Sequence, residues 1–474
     1  MTRTKIVCTI GPSVASLEKM IELIEAGMNV ARLNFSHGTY AEHRKNIELL
    51  KKAREQMGCS LAIMLDTQGP EIRLGKIEGD GIVVTAGQKI RLGSHPTKNV
   101  AGMETVPLPH KEIFPTLSLG TTVLFDDGYI IGKIVDKGDD YALVQVENNG
   151  LLKSHKKMNV PGISLPLPVM SEKDLADIRL GCELGVDVIA ASFVCSARDI
   201  LMIKDFLVQQ GRPDILVIAK IESALGVKNF DSIVEVADGI MIARGDLGVE
   251  LDLALVPKLQ KMMIRKCFQA CKPSITATQM LESMIVNPRP TRAEASDVAN
   301  AIYDCTSAIM LSGETAVGKY PIETVQRMRS IAEASESDVN YREFFEKNSR
   351  FDDRDVSSAV ATAAVKTAYN VGARAIFAFT TSGMTARFVS RLRPHMPIIA
   401  VTSNPAVYHQ LALNWGTIPL LCKDCTNTEE AFAFASQVAL ARKLIAKGDT
   451  VIITTGVMFG TKGTTNVMMV QTIS

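Results

Sequence analysis

The sequence lacks an excess of charge of either sign, since its 474 residues include 52 Lys and Arg against 51 Asp and Glu. Proteins that bind nucleic acid or a membrane surface usually concentrate one sign of charge, so neither partner is expected. The nine cysteines include no second Cys or His pair at zinc-site spacing, which argues against structural zinc. Most of them lie within apolar runs, where a thiol acts as a small hydrophobe, and this favours a reducing, cytoplasmic location.

Long apolar runs and internal repeats are also missing. The N-terminus has no apolar segment of signal length, so we expect neither secretion nor membrane insertion. No solenoid period and no low-complexity tract interrupts the chain. A single core rarely grows beyond ~250 to 300 residues, so the length predicts two or three domains.

Short β-branched runs alternate with segments of helical period, a pattern typical of parallel βαβ units. Eight such units favour a closed (β/α)8 barrel, the TIM-barrel fold of the α/β class, over an open doubly wound sheet. The predicted strands are Lys5–Ile10, Asn29–Asn34, Leu61–Asp66, Asp187–Phe193, Asp214–Ile221, Gly239–Ala243, Ser274–Ala277 and Ala308–Leu311.

The pattern predicts three domains. Between Glu71 and Pro168, glycines punctuate short strands, which indicates a small β-barrel inserted after the third barrel strand and placed to act as a lid. A polar stretch at Ser337–Asp353 suits a linker, and beyond it α/β alternation resumes, with a last predicted helix at Glu429–Lys447. The expected limits are 1–70 and 169–345 for the barrel, 71–168 for the insert and 346–474 for the C-terminal α/β domain.

Functional groups of a β/α barrel come from the C-terminal ends of its strands. By the two-residue period of a strand, Lys220 should point the same way as Glu222, and Arg244 the same way as Asp246. Two carboxylates suit magnesium, which prefers hard oxygen ligands, although a buried ion-pair network would use the same residues. Polar side chains end six of the eight strands: Arg32, Asn34 and Ser36; Asp66 and Thr67; Lys220 and Glu222; Arg244 and Asp246; Thr278; Ser312 and Glu314.

A second oxygen cluster carries little charge. Asn34, Ser36, Asp66 and the carbonyl of Thr67 fit a monovalent cation better than a transition metal, although helix capping by Ser36 and a turn at Asp66 are ordinary alternatives. Thr278 is equally well read as a hydroxyl donor at the cavity or as an N-cap.

Several long motifs together resemble those of the pyruvate kinase family. They span the chain, and motifs of this length do not arise together by chance. They are Thr4–Pro12, Arg32–Gly38, Leu65–Arg73, Ala243–Glu250, Ala277–Met284, Asn287–Glu294 and Met310–Ala316.

This resemblance implies transfer of the phosphoryl group of phosphoenolpyruvate to ADP, giving pyruvate and ATP, with Mg²⁺ (or Mn²⁺) and K⁺ as cofactors. It further implies a homotetramer. The implied roles are magnesium binding by Glu222 and Asp246; potassium binding by Asn34, Ser36, Asp66 and Thr67; catalysis by Lys220, Thr278 and Arg32; substrate binding by Arg32, Lys220, Gly245, Asp246 and Thr278; and nucleotide binding by Asn34, Ser36, His37, Arg73 and Lys156. The donor of the enolate proton stays open among Thr278, Ser312, Glu314 and water.

Departures from the family pattern concern three positions. Glu71 stands at a position where family members that carry Lys tend not to need potassium, so potassium dependence is expected. Gln68 stands where many relatives have Lys, and Ser223 stands where Asn is usual.

The resemblance also implies a sugar-phosphate or nucleotide effector in the last domain, where the alternative is a capped turn in an unregulated enzyme. The implied effector loop contains Thr380, Thr381, Ser382, Gly383, Thr385 and Arg387.

Two other functions fit parts of the pattern. Another metal-dependent barrel enzyme of small oxo-acids, such as an aldolase or a carboxyphosphonate-type mutase, would need neither the lid nor ADP. A catalytically silent metabolite-binding regulator is argued against by the presence of both Lys220 and Glu222.

Overall fold

A computed structural model of the chain describes residues 2–94, 103–163, 168–349, 355–422, 427–456 and 465–474. The first part of the chain follows the predicted strand–helix alternation. Helix boundaries are set by local capping: Ser16 caps the first helix, and Thr39 with Glu42 forms a capping box at the second. The elements are β1 (Lys5–Thr9), α1 (Leu17–Ala26), β2 (Val30–Asn34), α2 (Tyr40–Gln56) and β3 (Ala62–Asp66), with a 3-10 turn at Pro12–Val14.

The insert after β3 consists of short strands. Asp126, Asp127 and Gly128 all adopt positive φ and form the turn predicted between two of them. The described strands form a seven-stranded sheet and a two-stranded pair, and this seven-stranded sheet is not closed. The elements are β4 (Ile72–Arg73), β5 (Ile82–Val84), β6 (Lys89–Gly93), β7 (Thr105–Pro107), β8 (Thr122–Phe125), β9 (Ile130–Lys137), β10 (Tyr141–Val146), β11 (Gly150–Leu152) and β12 (Lys157–Asn159), with a 3-10 helix at Lys111–Thr116.

The chain then returns to the barrel. Capping boxes begin the helices after Ser171 and Thr291. The helices are α3 (Glu172–Leu184), α4 (Ala197–Gln209), α5 (Ala224–Lys228), α6 (Phe230–Val236), α7 (Arg244–Glu250), α8 (Val256–Gln269), α9 (Arg292–Tyr303), α10 (Gly313–Ala316), α11 (Pro321–Asp338) and α12 (Tyr341–Asn348). The strands are β13 (Val188–Ala191), β14 (Leu216–Ile221), β15 (Gly239–Ala243), β16 (Ser274–Ala277) and β17 (Ala308–Leu311), and 3-10 turns lie at Leu253–Leu255 and Glu282–Ile285.

The eight long parallel strands close on themselves in the order β1-β17-β16-β15-β14-β13-β3-β2. Every residue of β1, β3, β13, β15, β16 and β17 is buried, as expected for strands covered on both faces. Val7, Met64 and Ile275 belong to the cluster that fills the barrel, while a larger cluster packs the strands against the helices. The closed barrel confirms the predicted fold.

The prediction of a linker in this polar stretch is wrong over residues 341–348, because these residues form α12. Tyr341 and Phe345 are 4% and 6% exposed, and Phe345 packs into the core of the following domain. The helix reads as polar because its outer face is charged, with Lys347 bound to Glu343. Asp353, the end of the predicted linker, lies outside the described residues.

The C-terminal part is a five-stranded sheet flanked by helices. The predicted last helix is too long, since it ends at Ala441 rather than Lys447, and the final strand was not predicted. Its strand order is β20-β19-β18-β21-β22, parallel except for the last pair. The elements are α13 (Val356–Val371), β18 (Ala375–Phe379), α14 (Met384–Arg391), β19 (Ile398–Thr402), α15 (Pro405–Gln410), β20 (Thr417–Leu421), α16 (Thr428–Ala441), β21 (Thr450–Thr455) and β22 (Val467–Thr472), with a 3-10 turn at Leu411–Leu413.

This sheet domain contacts the barrel at the N-terminal ends of its strands. Gln410 Nε2 donates to the carbonyls of Asp187 and Asp214, which precede β13 and β14. Lys5 Nζ, at the start of β1, donates to the carbonyl of Thr417 at 2.7 Å. The C-terminal ends of the barrel strands, where the predicted site residues lie, are therefore at the opposite face.

Candidate active site

Lys220 lies at the centre of the barrel mouth. Its ammonium group is 3.0 Å from Asp66 Oδ1, 3.1 Å from Glu222 Oε1 and 2.6 Å from Ser192 Oγ, and the residue is only 9% exposed. Burial alone lowers the pKa of Lys220, but the two carboxylates outweigh it and raise the pKa above its ordinary value. The side chain is therefore a fixed positive charge.

Asp66 joins Lys220 to a second cation. Its Oδ2 accepts a hydrogen bond from Arg32 Nε at 2.6 Å, and Arg32 Nη1 donates to Thr9 Oγ1 at 2.8 Å. Burial would raise the pKa of the fully buried Asp66, yet Arg32 and Lys220 hold it below its usual range. Four groups of alternating charge thus follow one another across the mouth: Arg32 on β2, Asp66 on β3, Lys220 on β14 and Glu222 just after β14, with β13 between β3 and β14.

The two carboxylates predicted to hold magnesium lie within electrostatic reach of each other. Burial raises the pKa of Glu222, and the charge of Asp246 adds to the rise while that of Lys220 opposes it. Asp246 Oδ1 accepts from the ammonium of Lys157, at 2.5 Å. A protein cation faces each of these carboxylates, Lys220 at Glu222 and Lys157 at Asp246, and two neighbouring carboxylates are a donor set that fits a hard divalent ion.

Arg244 does not share this cavity, and the prediction that it points with Asp246 is wrong. Strand β15 ends at Ala243 and Arg244 opens helix α7, so the two-residue period of a strand no longer applies. Its Nη1 lies 2.7 Å from Asp297 Oδ2, and its Nη2 donates to the carbonyl of Thr278. Arg244 therefore ties the strand end to helix α9.

Thr278 is not a helix cap. The next helical turn begins at Glu282, whereas the Thr278 hydroxyl accepts from Gly245 N at 2.8 Å and donates to the carbonyl of Ala277. Thr278 and Gln279 have φ of 65° and 54°. For a β-branched residue this left-handed backbone costs free energy, and such strain is concentrated at functional sites. Thr278 and Gly245 are thus brought together as the sequence predicted.

The oxygen cluster of the second and third strands is partly assembled. Asn34 and Asp66 are paired across β2 and β3, and Asn34 Oδ1 accepts from the Ser36 backbone at 3.1 Å. The Thr67 carbonyl accepts from Ser192 Oγ at 2.6 Å. Both oxygens of Asp66 already bind cationic side chains. Among the four predicted potassium ligands, Asn34, Ser36, Asp66 and Thr67, this carboxylate is therefore the least available to bind an ion.

The predicted nucleotide-binding residues are dispersed. Arg73 is paired with Glu71, and Lys156 is paired with Asp126 at 2.6 Å inside the insert, with 40% of its side chain exposed. His37 is exposed at the end of β2. Lys156 therefore does not reach the barrel carboxylates, and its neighbour Lys157 does.

Glu314 holds the loops of the mouth in place. It is fully buried, with Oε1 accepting from Leu281 N and Oε2 from Ser312 N. Both oxygens are used by backbone donors, so among the candidate proton donors Glu314 is the least suited.

The effector loop lies in the C-terminal domain, between β18 and α14. Gly383, at φ +85°, precedes the helix, and its N–H donates to Thr380 Oγ1 at 2.9 Å. The hydroxyl of Thr385 lies 2.6 Å from that of Thr465. The buried Nε of Arg387 has no hydrogen-bond partner among the described residues.

Sequence reasoning missed two polar residues of the site. Ser192 bonds Lys220, Asp66 and the Thr67 carbonyl, but its only signal was its place at the end of β13. Lys156 and not Lys157 was chosen from the sequence as a site residue. Side chains of consecutive strand residues point to opposite faces, so only one of the two lysines could face the barrel mouth. No group of three or more His, Cys, Asp or Glu that could hold a metal occurs among the described residues, so protein carboxylates alone would not complete a coordination shell.

Comparison with known proteins agrees with this geometry. The model of the pyruvate kinase barrel domain matches residues 1–325, and that of the pyruvate kinase alpha/beta domain matches residues 358–471. The chain belongs to the pyruvate kinase family. It is an enzyme that transfers the phosphoryl group of phosphoenolpyruvate to ADP, giving pyruvate and ATP, and enzymes of this family generally depend on Mg²⁺ and K⁺.

The similarity to individual pyruvate kinases extends over the chain. It is 45% identical to the pyruvate kinase of Geobacillus stearothermophilus over 100% of this chain and 80% of that protein. It is 42% identical to the pyruvate kinase of Clostridium acetobutylicum, with 100% of both chains covered. A crystal structure of a pyruvate kinase from Cryptosporidium parvum superposes with a TM-score of 0.95 at 37% identity, over 100% of this chain and 96% of that one. No described helix is both long and apolar enough to cross a membrane.

Proposed function

We propose that the pyruvate kinase reaction runs on this chain around the ammonium of Lys220. The observation that carries the proposal is the row of alternating charges at the barrel mouth, in which Lys220 is held at 3.0 Å and 3.1 Å by Asp66 and Glu222. A phosphoryl group in transit spreads negative charge over its oxygens and needs little covalent chemistry from protein, so fixed cations are the main catalytic device.

Each site residue has a proposed role. Lys220 stabilises the phosphoryl oxygens and the enolate oxygen, while Arg32 binds the substrate phosphate. Thr278, with the backbone amides of Gly245 and Asp246, receives the substrate carboxylate. The strained backbone of Thr278 and Gln279 supports a functional role for this turn.

The proposed metal positions follow from the donor types. Glu222 and Asp246 would hold Mg²⁺, or Mn²⁺, and Asn34, Ser36, Asp66 and Thr67 would hold K⁺. These cations, when bound, supply positive charge beside the substrate and nucleotide phosphates. On the nucleotide side, Asn34, Ser36, His37, Arg73 and Lys156 are proposed contacts.

The proposal is tested by following ATP formation from phosphoenolpyruvate and ADP with magnesium. Product should appear only with all three components. Absence of ATP from a folded preparation, or hydrolysis of phosphoenolpyruvate without ADP, would contradict it.

Potassium dependence is proposed from Glu71. This position carries a carboxylate rather than a lysine ammonium, and its oxygens lie 2.5 Å from Arg73 Nη2 and 3.8 Å from Lys157 Nζ. We expect ATP formation to fall at least ~tenfold when potassium is exchanged for sodium at constant ionic strength, since the smaller sodium ion is badly matched to a site of three neutral oxygen donors and the Asp66 carboxylate. Equal rates in the two buffers would refute this expectation.

The remaining proposals concern assembly and location. We propose domain limits at 1–70, 71–168, 169–345 and 346–474, a homotetramer measurable by light scattering, and a cytoplasmic location checked by cell fractionation. Seven of the eight described cysteines are free thiols, which supports the cytoplasmic proposal, and Cys422 is the disulfide-bonded exception.

An effector site is proposed at the loop of residues 380–387. The supporting observation is the buried Nε of Arg387, which has no acceptor among the residues that the structure describes, because such a guanidinium donor suits an anionic ligand. Calorimetric titration with a sugar bisphosphate and, separately, with a nucleotide distinguishes the two ligand classes, and heat from neither would remove the proposal.

A further inference from the structure

Lys157 belongs to the inserted domain, but its ammonium group lies in the barrel mouth. It stands on strand β12, with its Nζ 2.5 Å from Asp246 Oδ1 and 4.4 Å from the centre of the Phe193 ring. Glu71 Oε1 is 3.8 Å away. Only 10% of the side chain is exposed, so this is a largely buried cation delivered by one domain to a carboxylate of another.

The surrounding charges account for its position. Burial lowers the pKa of Lys157, but Asp246, Glu222 and Glu71 outweigh burial and leave the pKa raised. Lys220 neutralises Glu222 from 3.1 Å, whereas the ammonium on Asp246 is that of Lys157, so loss of Lys157 would leave Asp246 facing Glu222 without this compensating charge. The Lys157 ammonium thus neutralises Asp246, one of the two carboxylates to which the proposed divalent ion would bind.

A metal ion and the Lys157 ammonium compete for Asp246, since both seek the same carboxylate and Lys157 already occupies its Oδ1. Mg²⁺ binds carboxylate oxygen at about 2.0 to 2.1 Å, and two cations on one oxygen repel by about 4 kcal/mol at 4 Å for an effective dielectric constant of 20, even counting a single charge on each. Each cation therefore weakens the binding of the other at Asp246.

We propose that Lys157 is a built-in competitor of the divalent cation, which occupies Asp246 in the metal-free enzyme and is displaced when the metal binds. The inference rests on the proposed function, in which Glu222 and Asp246 are the metal ligands. It makes Lys157 a positioning residue, since it acts through Asp246 rather than on substrate.

Displacement of Lys157 also affects the insert that carries it. Strand β12 is paired with β4 and β8, so its backbone moves with the sheet of the insert. A second contact, from Asn159 Nδ2 to Glu250 Oε1 at 3.2 Å, joins the same strand to helix α7, which carries Asp246. Metal occupancy and the position of the insert are therefore coupled through one strand and one helix.

The test measures metal binding without substrate, by the electron paramagnetic resonance signal of free Mn²⁺ during titration of the whole enzyme. Lys157→Met is expected to lower the Mn²⁺ dissociation constant at least ~tenfold, because the competing charge is gone. Lys157→Arg keeps the charge and should stay within ~threefold of wild type. Lys157→Gln, smaller and polar, serves as a second neutral variant if the methionine form does not fold.

Lys156→Met is the matched control. It removes the same charge from the neighbouring residue, whose Nζ is paired with Asp126 instead, and should leave Mn²⁺ affinity within ~twofold of wild type. Unchanged or weaker Mn²⁺ binding in both neutral Lys157 variants would overturn the competitor role. Glu222→Gln separates the two proposals: if it fails to weaken Mn²⁺ binding, the metal position itself is wrong and both proposals fall.

Discussion

Replacing Lys220 by Met is expected to lower kcat by ~10² to 10⁴, the scale of removing one preorganised transition-state contact. The substitution keeps most of the side-chain volume and deletes the charge that Asp66 and Glu222 hold in place. The fold should persist, because Asp66 retains Arg32 and Glu222 retains the N–H of Phe193 as partners. The measurement is initial-rate ATP formation at saturating phosphoenolpyruvate and ADP, with circular dichroism as the check on folding.

Lys5→Met provides a matched control for this result. Lys5 is also a buried barrel lysine, 3% exposed, but it lies at the N-terminal end of its strand, on the barrel face opposite to Lys220. There it donates to the Thr417 carbonyl. Its loss should leave kcat within a few-fold of wild type. Unchanged turnover in a folded Lys220→Met enzyme would exclude the role of Lys220, and an equal loss in both variants would show that the effect is structural.

Asp66→Ala should produce the largest loss of stability among single substitutions in the site. It leaves Arg32 and Lys220, both largely buried, without the carboxylate that lies between them. Removing one partner of a buried ion pair costs about 3 to 5 kcal/mol, since the remaining charge stays uncompensated. The measurement is the shift in the midpoint of denaturant unfolding, and ATP formation should be lost as well.

A surface aspartate calibrates this expectation. Asp231 is paired with Lys266 on the outside of the barrel, and 74% of its side chain is exposed. Exposed pairs of this kind contribute about 0 to 1 kcal/mol, so Asp231→Ala should barely move the unfolding midpoint. Equal shifts in the two variants would mean that the charge row at the barrel mouth contributes nothing special to stability.

Much of the barrel could be predicted from the sequence because its signals are local. A parallel strand that is buried on both faces has a short continuous apolar run as its sequence pattern. All eight predicted runs form strands of the barrel. Lys220 and Glu222 are two residues apart at the end of one strand, so their shared direction follows from strand geometry alone. Arg32 and Asp66 follow in the same way, since the C-terminal ends of neighbouring parallel strands meet at one face.

The sequence by itself determined the order of the eight barrel strands, their closure into a barrel and the set of polar strand ends, because each depends on periods of two to four residues. Only the tertiary structure decided which side chains meet across domains. Arg244 is turned away by the start of a helix and by Asp297, 53 residues further along the chain. Lys156 and Lys157 point in different directions, and the way the insert packs on the barrel, which no local period records, decides that Lys157 reaches Asp246.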